Sequence, residues 1–249
     1  MNDVILTTEG VSKHFGRFVA LKNITVAFQR NQLAAIIGPN GAGKSTYFNI
    51  ISGTLAPSSG RLQYEGREIS GQPQHQFARM GIAMSFQITN VFPQLTAFEN
   101  VRVAVQARHA RFEVWRPRSN FKEIGERAEA LLETVGLVHC QGRPARELAH
   151  GEQRCLEVAM ALACAPKLLL LDEPTAGMSP EETRAMMDLI LCLAAERTVI
   201  LVEHKMKLVM GLCQRIVVLH HGELLADGRP EDVRTNEEVK RVYLGQGGR

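Results

Sequence analysis

Leu33-Ala34-Ala35-Ile36-Ile37 runs directly into Gly38-Pro39-Asn40-Gly41-Ala42-Gly43-Lys44-Ser45-Thr46, and no other stretch constrains the fold as tightly. Five apolar residues in a row, with no polar alternation, predict a strand buried on both faces. The nine residues that follow fit the pattern G-x-x-x-x-G-K-[ST]. Glycines in such a loop admit positive φ and turn successive N–H groups toward one centre. Lys44 to Ser52 has helical character, and Gly53 closes it. A strand, loop and helix in this order offer amide dipoles, a helix N-terminus and one ammonium to an anion, which suits the β- and γ-phosphates of a nucleotide. On this reading Gly38, Pro39, Asn40, Gly41, Ala42, Gly43, Lys44, Ser45 and Thr46 bind nucleotide. Lys44 meets the outer phosphates, and the Ser45 hydroxyl suits Mg²⁺.

The rest of the chain predicts an α/β core around this loop. Short alternating segments at Val4–Leu6, Ile24–Phe28 and Arg61–Tyr64 suggest an antiparallel sheet beside it. From about Gln94 to Ala163 the periodicity is helical, with breaks near Pro117 and Pro144. Apolar runs return at Leu168–Leu171, Val199–Val202 and Ile216–Leu219, each preceded by helix-like sequence, as crossover-connected parallel strands require. His220-His221-Gly222-Glu223 suggests a hairpin turn. With 249 residues, 45% hydrophobic and 22% charged, the chain has ample core for one large domain or two intimate ones. A net charge of +3 argues for neither nucleic acid nor an anionic membrane as partner. The five cysteines are odd in number and scattered, against a disulfide framework or a zinc site. A signal peptide and a membrane span are not expected.

Leu168-Leu169-Leu170-Leu171-Asp172-Glu173 is a second chemical signal: a buried strand ending in two carboxylates. Open α/β sheets bind ligands at that strand edge, so Asp172 can hold a metal shell and Glu173 can polarise an attacking water. Read alone, the segment is equally a strand ending in a solvated acidic turn. Three more stretches stand in order around it: Gln87 after Ile82–Phe86, Leu148-Ala149-His150-Gly151-Glu152-Gln153-Arg154 before a helical run, and His204 after Val199–Val202.

Taken together, these elements resemble the ATP-binding subunit of ABC transporters: Walker A, Q-loop, signature, Walker B, D-loop and switch histidine, across nearly the whole chain. The resemblance implies an α/β P-loop NTPase (RecA-like) core with an N-terminal antiparallel β-subdomain and an inserted α-helical subdomain. Residues 1–249 would form one ABC ATPase domain, with 1–93 and 164–249 as the core and 94–163 as the helical signature subdomain. It further implies ATP and Mg²⁺ as cofactors, with Ser45, Gln87 and Asp172 around the metal and Glu173, His204, Gln87 and Lys44 as the catalytic set. Phe15 matches the aromatic that stacks on adenine, with a core phenylalanine as the alternative. Gln87 and His204, taken singly, are an ordinary loop glutamine and surface histidine. Ala149, His150, Gly151 and Glu152 would cover, in trans, the nucleotide held by a second ATPase subunit, with Gly151 beginning the signature helix.

The chain departs from the family pattern at Ala149 (usually Ser), His150 (Gly), Glu152 (Gln) and Ser179 (often Asp), and at Lys205 where an acidic residue is frequent. Thr175-Ala176-Gly177-Met178-Ser179-Pro180-Glu181, Val202-Glu203-His204 and Val242-Tyr243-Leu244-Gly245 resemble the branched-chain amino acid importer type, specifically its larger ATPase. Arg108 to Lys122, basic with interleaved Phe112, Trp115 and Phe121, resembles the extension after the Q-loop in that type. A solvated loop, a permease contact and nucleic-acid binding all fit such a segment. The implied partners are a second ABC ATPase, alike or different, two transmembrane permease subunits and, indirectly, an external solute-binding protein, with no nucleic acid expected. The implied place is peripheral, on the cytoplasmic face of the inner membrane. Rival readings are a lipopolysaccharide-type exporter ATPase, a soluble ABC clamp on nucleic acid or ribosomes, and a nucleotide sensor without turnover.

Overall fold

Residues 3–85, 91–109 and 119–244 are described by the structure, a computed structural model. Twelve residues in β1 (Val4–Phe15) pair antiparallel with the twelve of β2 (Phe18–Gln29). The chain then enters β3 (Leu33–Ile37), every residue of which is buried. After α1 (Lys44–Ile51), β4 (Ser59–Tyr64) returns to pair with β1, and β5 (Arg67–Glu68) completes a four-stranded antiparallel sheet of order β2-β1-β4-β5. α2 (Gln74–Met80) leads into β6 (Ile82–Ser85).

A helical stretch follows: α3 (Ala97–His109), α4 (Ser119–Thr134), two 3₁₀ turns at Val138–Cys140 and Ala145–Glu147, and α5 (His150–Leu162). β7 (Leu168–Asp172), α6 (Pro180–Ala194), β8 (Thr198–Val202), α7 (Met206–Leu212), β9 (Arg215–His220) and β10 (Glu223–Gly228) come next, then α8 (Pro230–Thr235) and α9 (Glu237–Leu244). The second sheet has the order β10-β9-β3-β8-β7-β6 and is parallel except for the β9–β10 hairpin. That hairpin turns at His221 and Gly222, both with positive φ, the geometry of a tight two-residue connection.

Strand periodicity divides the core. Leu33, Ala35 and Ile37 face one apolar cluster together with Leu169, Leu171, Val199 and Leu201, against the helices α3 to α6. Ala34 and Ile36 face the other with Leu168, Leu170, Ile200 and Val202, against Phe28, Tyr47 and Phe48. A strand covered on both faces gains about 1.5–3 kcal/mol for each large side chain buried, which is why these strands lack polar alternation.

β1 extends far beyond the expected Val4–Leu6. Register shifts at Val4/Leu6, Thr8/Val11, Val11/Lys13 and Lys13/His14 let it bend with β2, and each shift breaks the simple alternation that marks a strand in sequence. The start of α3 is held by Asn100, buried completely, whose Nδ2 donates to the carbonyls of Phe92, Leu95 and Thr96 while its Oδ1 accepts from the Phe92 N–H. Thr96 and Glu99 form a reciprocal capping box there. Of the expected 108–122 segment, Arg108 and His109 end α3 and Ser119–Lys122 open α4; residues 110–118, with the expected break at Pro117, lie outside the described residues.

Candidate nucleotide site

Four parallel strands end at one edge of the larger sheet. Ile36 and Asp172 both pair with Val202, and Ile37 pairs with Val218. The loops leaving β3, β7 and β8 therefore carry Gly38–Lys44, Glu173 and His204 to the same place, the carboxyl edge where such sheets take ligands.

The glycine loop is built for close approach. A methyl group at Gly38 would drive into the Leu219 carbonyl, and one at Gly43 would stand 2.7 Å from Leu21 Cδ2 and 2.8 Å from the Ala20 carbonyl. Gly43 also has φ of +98°, which disfavours any side chain. Gly222 donates to the Ala42 carbonyl at 3.0 Å, so the β9–β10 turn braces the loop from behind. Within this cradle Lys44 is 6% exposed, and its Nζ donates to the carbonyls of Gly38 (2.8 Å) and Pro39 (3.0 Å). Burial lowers the Lys44 pKa against the pull of Glu173 and Asp172. Gly41 and Ser45 are exposed at the loop surface.

Asp172 is buried, and burial followed by repulsion from Glu173 raises its pKa, with His204, Arg154 and Lys44 opposing. Glu173 adopts φ of +47°, a left-handed conformation uncommon outside glycine, with its N–H bonded to the Val202 carbonyl at 3.0 Å. From that turn its Oε1 meets His204 Nε2 at 2.5 Å. The structure thus brings Lys44, Asp172, Glu173 and His204 into one electrostatic group. Two hard oxygen donors, the Asp172 carboxylate and the Ser45 hydroxyl, flank a glycine cradle and an ammonium, which fits a nucleotide phosphate with Mg²⁺. Gln87, expected as metal and catalytic residue, lies outside the described residues.

Glu203 and Lys205 carry more than their sequence positions suggested. Glu203 is 3% exposed; one oxygen accepts from the Thr175 N–H (3.2 Å) and Oγ1 (2.5 Å), the other from the His204 N–H (3.0 Å). It therefore ties the backbone of His204 to the turn after Glu173. Lys205 Nζ donates to the Thr175 carbonyl (3.1 Å) and Thr183 Oγ1 (3.2 Å), so this cation docks onto α6. A carboxylate immediately after an all-apolar strand was the signal for Glu203.

Phe15 is 49% exposed at the tip of the β1–β2 hairpin, which overturns the core-phenylalanine alternative. Lys13 Nζ lies 5.3 Å from its ring centre. The hairpin projects from the same strand, β2, whose Ala20 and Leu21 back Gly43.

The signature residues sit at the start of α5. His150, not Gly151, is the first helical residue, and Ala149 is the N-cap. Alanine has no oxygen to cap with, so the cap is one-sided: Glu152 accepts from the Ala149 N–H at 2.8 Å. Burial opposes ionisation of Glu152, but that amide, His139 and Arg143 together bring its pKa down. Glu152 also meets His139 Nε2 at 3.1 Å. Among the described residues no hydrogen bond or ion pair joins Ala149–Glu152 to Gly38–Thr46. Nor is any described helix long and apolar enough to cross a membrane.

Comparison with known proteins agrees with this arrangement. A family profile described as ABC transporter matches residues 21–176, and a second, described as branched-chain amino acid ATP-binding cassette transporter, matches residues 223–248. The chain is 40% identical to the high-affinity branched-chain amino acid transport ATP-binding protein BraF of Pseudomonas aeruginosa, over 99% of this chain and 100% of that one. It is 38% identical to the corresponding protein LivG of Escherichia coli (strain K12), with 99% and 100% covered. A solved ATP-binding cassette of an ABC transporter in its ADP conformation superposes with a TM-score of 0.86 at 30% identity, covering 97% of this chain and 99% of that one. A nucleotide-free cassette gives 0.85 at 29% identity, covering 96% and 98%. The strand-edge cradle, the paired carboxylates and these likenesses converge: the chain belongs to the ABC transporter family, as an ATP-binding subunit that hydrolyses ATP.

Proposed function

We propose that this chain is the motor subunit of an importer for branched-chain amino acids or related small solutes, closing with a second ATPase subunit around two ATP molecules. The observation that carries the reading is the convergence of Glu173 and Lys44 at the sheet edge, because it sets a carboxylate able to activate water, with His204 against it, beside the phosphate-binding loop. The match of residues 223–248 to the branched-chain family and the names of the near-full-length relatives favour import over lipopolysaccharide-type export. A dimeric cassette in a post-hydrolysis state with ADP and Pi, 26% identical with a TM-score of 0.78 and covering 91% of this chain, supports pairing.

In this reading Phe15 stacks on the adenine. The amides of Gly38 to Thr46 and the Lys44 ammonium take the phosphates, as Lys44 exchanges two loop carbonyls for phosphate oxygens. Ser45, Asp172 and Gln87 would hold Mg²⁺, which supplies positive charge at the phosphates when bound. Glu173 orients and deprotonates the attacking water, and His204 steadies the γ-phosphate. For this, Glu173 and His204 must part, since each then serves a different atom. Ala149 to Glu152 cover the partner's nucleotide with helix amides. Residues 94–163 act as a helical subdomain on a core formed by 1–93 and 164–249. Two permease subunits, supplied with solute by an external binding protein, hold the ATPases at the cytoplasmic face of the inner membrane.

Glu173→Gln tests the assignment. Nucleotide binding stays within about twofold while turnover falls at least about a hundredfold, the usual scale for losing a general base. Steady-state hydrolysis at the parent rate would refute it.

A further inference from the structure

Two of the departures noted in the sequence, His150 and Ser179, meet at one internal contact between the first turn of α5 and the 175–179 loop. The His150 ring lies over Gly177, where an added Cβ would stand 3.3 Å from its Cε1. Ser179 is the N-cap of α6, and Glu182 completes the box: Ser179 N–H donates to Glu182 Oε2 at 2.9 Å, and Glu182 N–H to Ser179 Oγ at 3.2 Å. The second oxygen of Glu182 is turned the other way. A Cβ at Gly151 would stand 2.5 Å from Glu182 Oε1, so only glycine lets that carboxylate reach the first turn of α5. Ser179 and then the Gly151 amide hold the Glu182 carboxyl below its ordinary pKa.

We infer that Glu182 is a positioning residue for the ATPase cycle: it locks the first turn of α5 to the 175–179 loop of the same chain. The inference rests on the reading of Ala149–Glu152 as the cover for a partner's nucleotide. Its physical logic is one carboxylate with two duties. Oε2 fixes the end of the loop that follows Glu173, and Oε1 fixes the helix that must meet the other subunit. A carboxylate at 179 would face Glu182 at contact distance and repel it, whereas the Ser179 hydroxyl donates no charge and caps α6 equally well. Ala149 offers no hydroxyl to orient the same turn. Glu182 and Glu152 supply the missing anchors from within the chain. The loop and the signature turn then move together, so changes around Glu173 reach the signature turn of that subunit without crossing the dimer.

Two measurements on Glu182→Ala and Glu182→Gln test this. In the isolated full-length chain, hydrogen exchange reports the contact directly. Glu182→Ala is expected to speed exchange across the first turn of α5 at least about threefold, with Glu182→Gln, which retains an acceptor, lying between it and the parent. Exchange in α1 is unchanged in both. Equal exchange in α5 for parent and Glu182→Ala would overturn the inference, as would acceleration spread evenly over the molecule. In the chain assembled with its membrane and ATPase partners, Glu182→Ala raises the ATP concentration for half-maximal turnover more than it lowers kcat, and Glu182→Gln partly restores it. A loss confined to kcat would overturn the positioning role. A parent assembly in which ablating the signature turn leaves turnover intact would instead defeat the underlying reading, whatever Glu182 does.

Discussion

Asp172 ends a strand whose other side chains are all apolar, and it carries a charge into a buried edge with Glu173 directly behind it. Its raised pKa fixes the sign of a stability prediction. For an acid raised on folding, the penalty of ionisation is absent below the unfolded pKa and complete above the folded one. Asp172→Asn should therefore raise the thermal midpoint of the nucleotide-free chain at pH 7, by about 2–4 °C for each kcal/mol relieved, and change it less under acid conditions where both forms are neutral. The same variant should lose the extra stabilisation that Mg²⁺ adds to ATP. A lowered midpoint at pH 7 would contradict the buried-charge account. At this scale Lys44, Asp172, Glu173 and His204 were legible because each follows a buried strand or lies in a glycine pattern. Glu182 was hidden: on a helix of alternating polarity nothing distinguishes it from solvated Glu181 until α5 packs beside it.

α5 shows what an element needs besides periodicity. Its cap is alanine, its third residue supplies the side-chain oxygen for the Ala149 amide, and contacts with His139 and Arg143 brace that residue. Ala149→Ser supplies the missing half of a capping box and should stabilise the chain by about 0.5–2 kcal/mol in chemical denaturation. Its turnover should rise less than about tenfold if, as proposed, the helix amides carry the contact to phosphate. A larger gain would mean that the hydroxyl, not the amides, limits the natural chain. The helical stretch from Gln94 to Ala163 and the parallel strands β3, β7, β8 and β9 were legible from apolar spacing alone. β1 was legible only at its first residues, since bulges shift its register repeatedly, and α2 and α8 are too short for periodicity to mark them.

Across the whole molecule, strand order does the assembling. Putting β3 between β8 and β9, with β7 next, gathers residues more than a hundred positions apart at one edge. The sequence motifs announced that gathering only as an ordered set. Lys44→Ala should weaken nucleotide binding at least about tenfold by removing the charge buried under the phosphates, while leaving the unliganded fold intact by circular dichroism. Unaltered affinity would place the phosphates elsewhere. The most direct measurement is a structure of the assembled transporter with a non-hydrolysable ATP analogue. The triphosphate is expected on the Gly38–Thr46 amides of one ATPase, with the first turn of α5 from the other ATPase closing over its γ-phosphate. A triphosphate held by one subunit with that helix turned away from it would rule out two ATPase subunits closing around ATP.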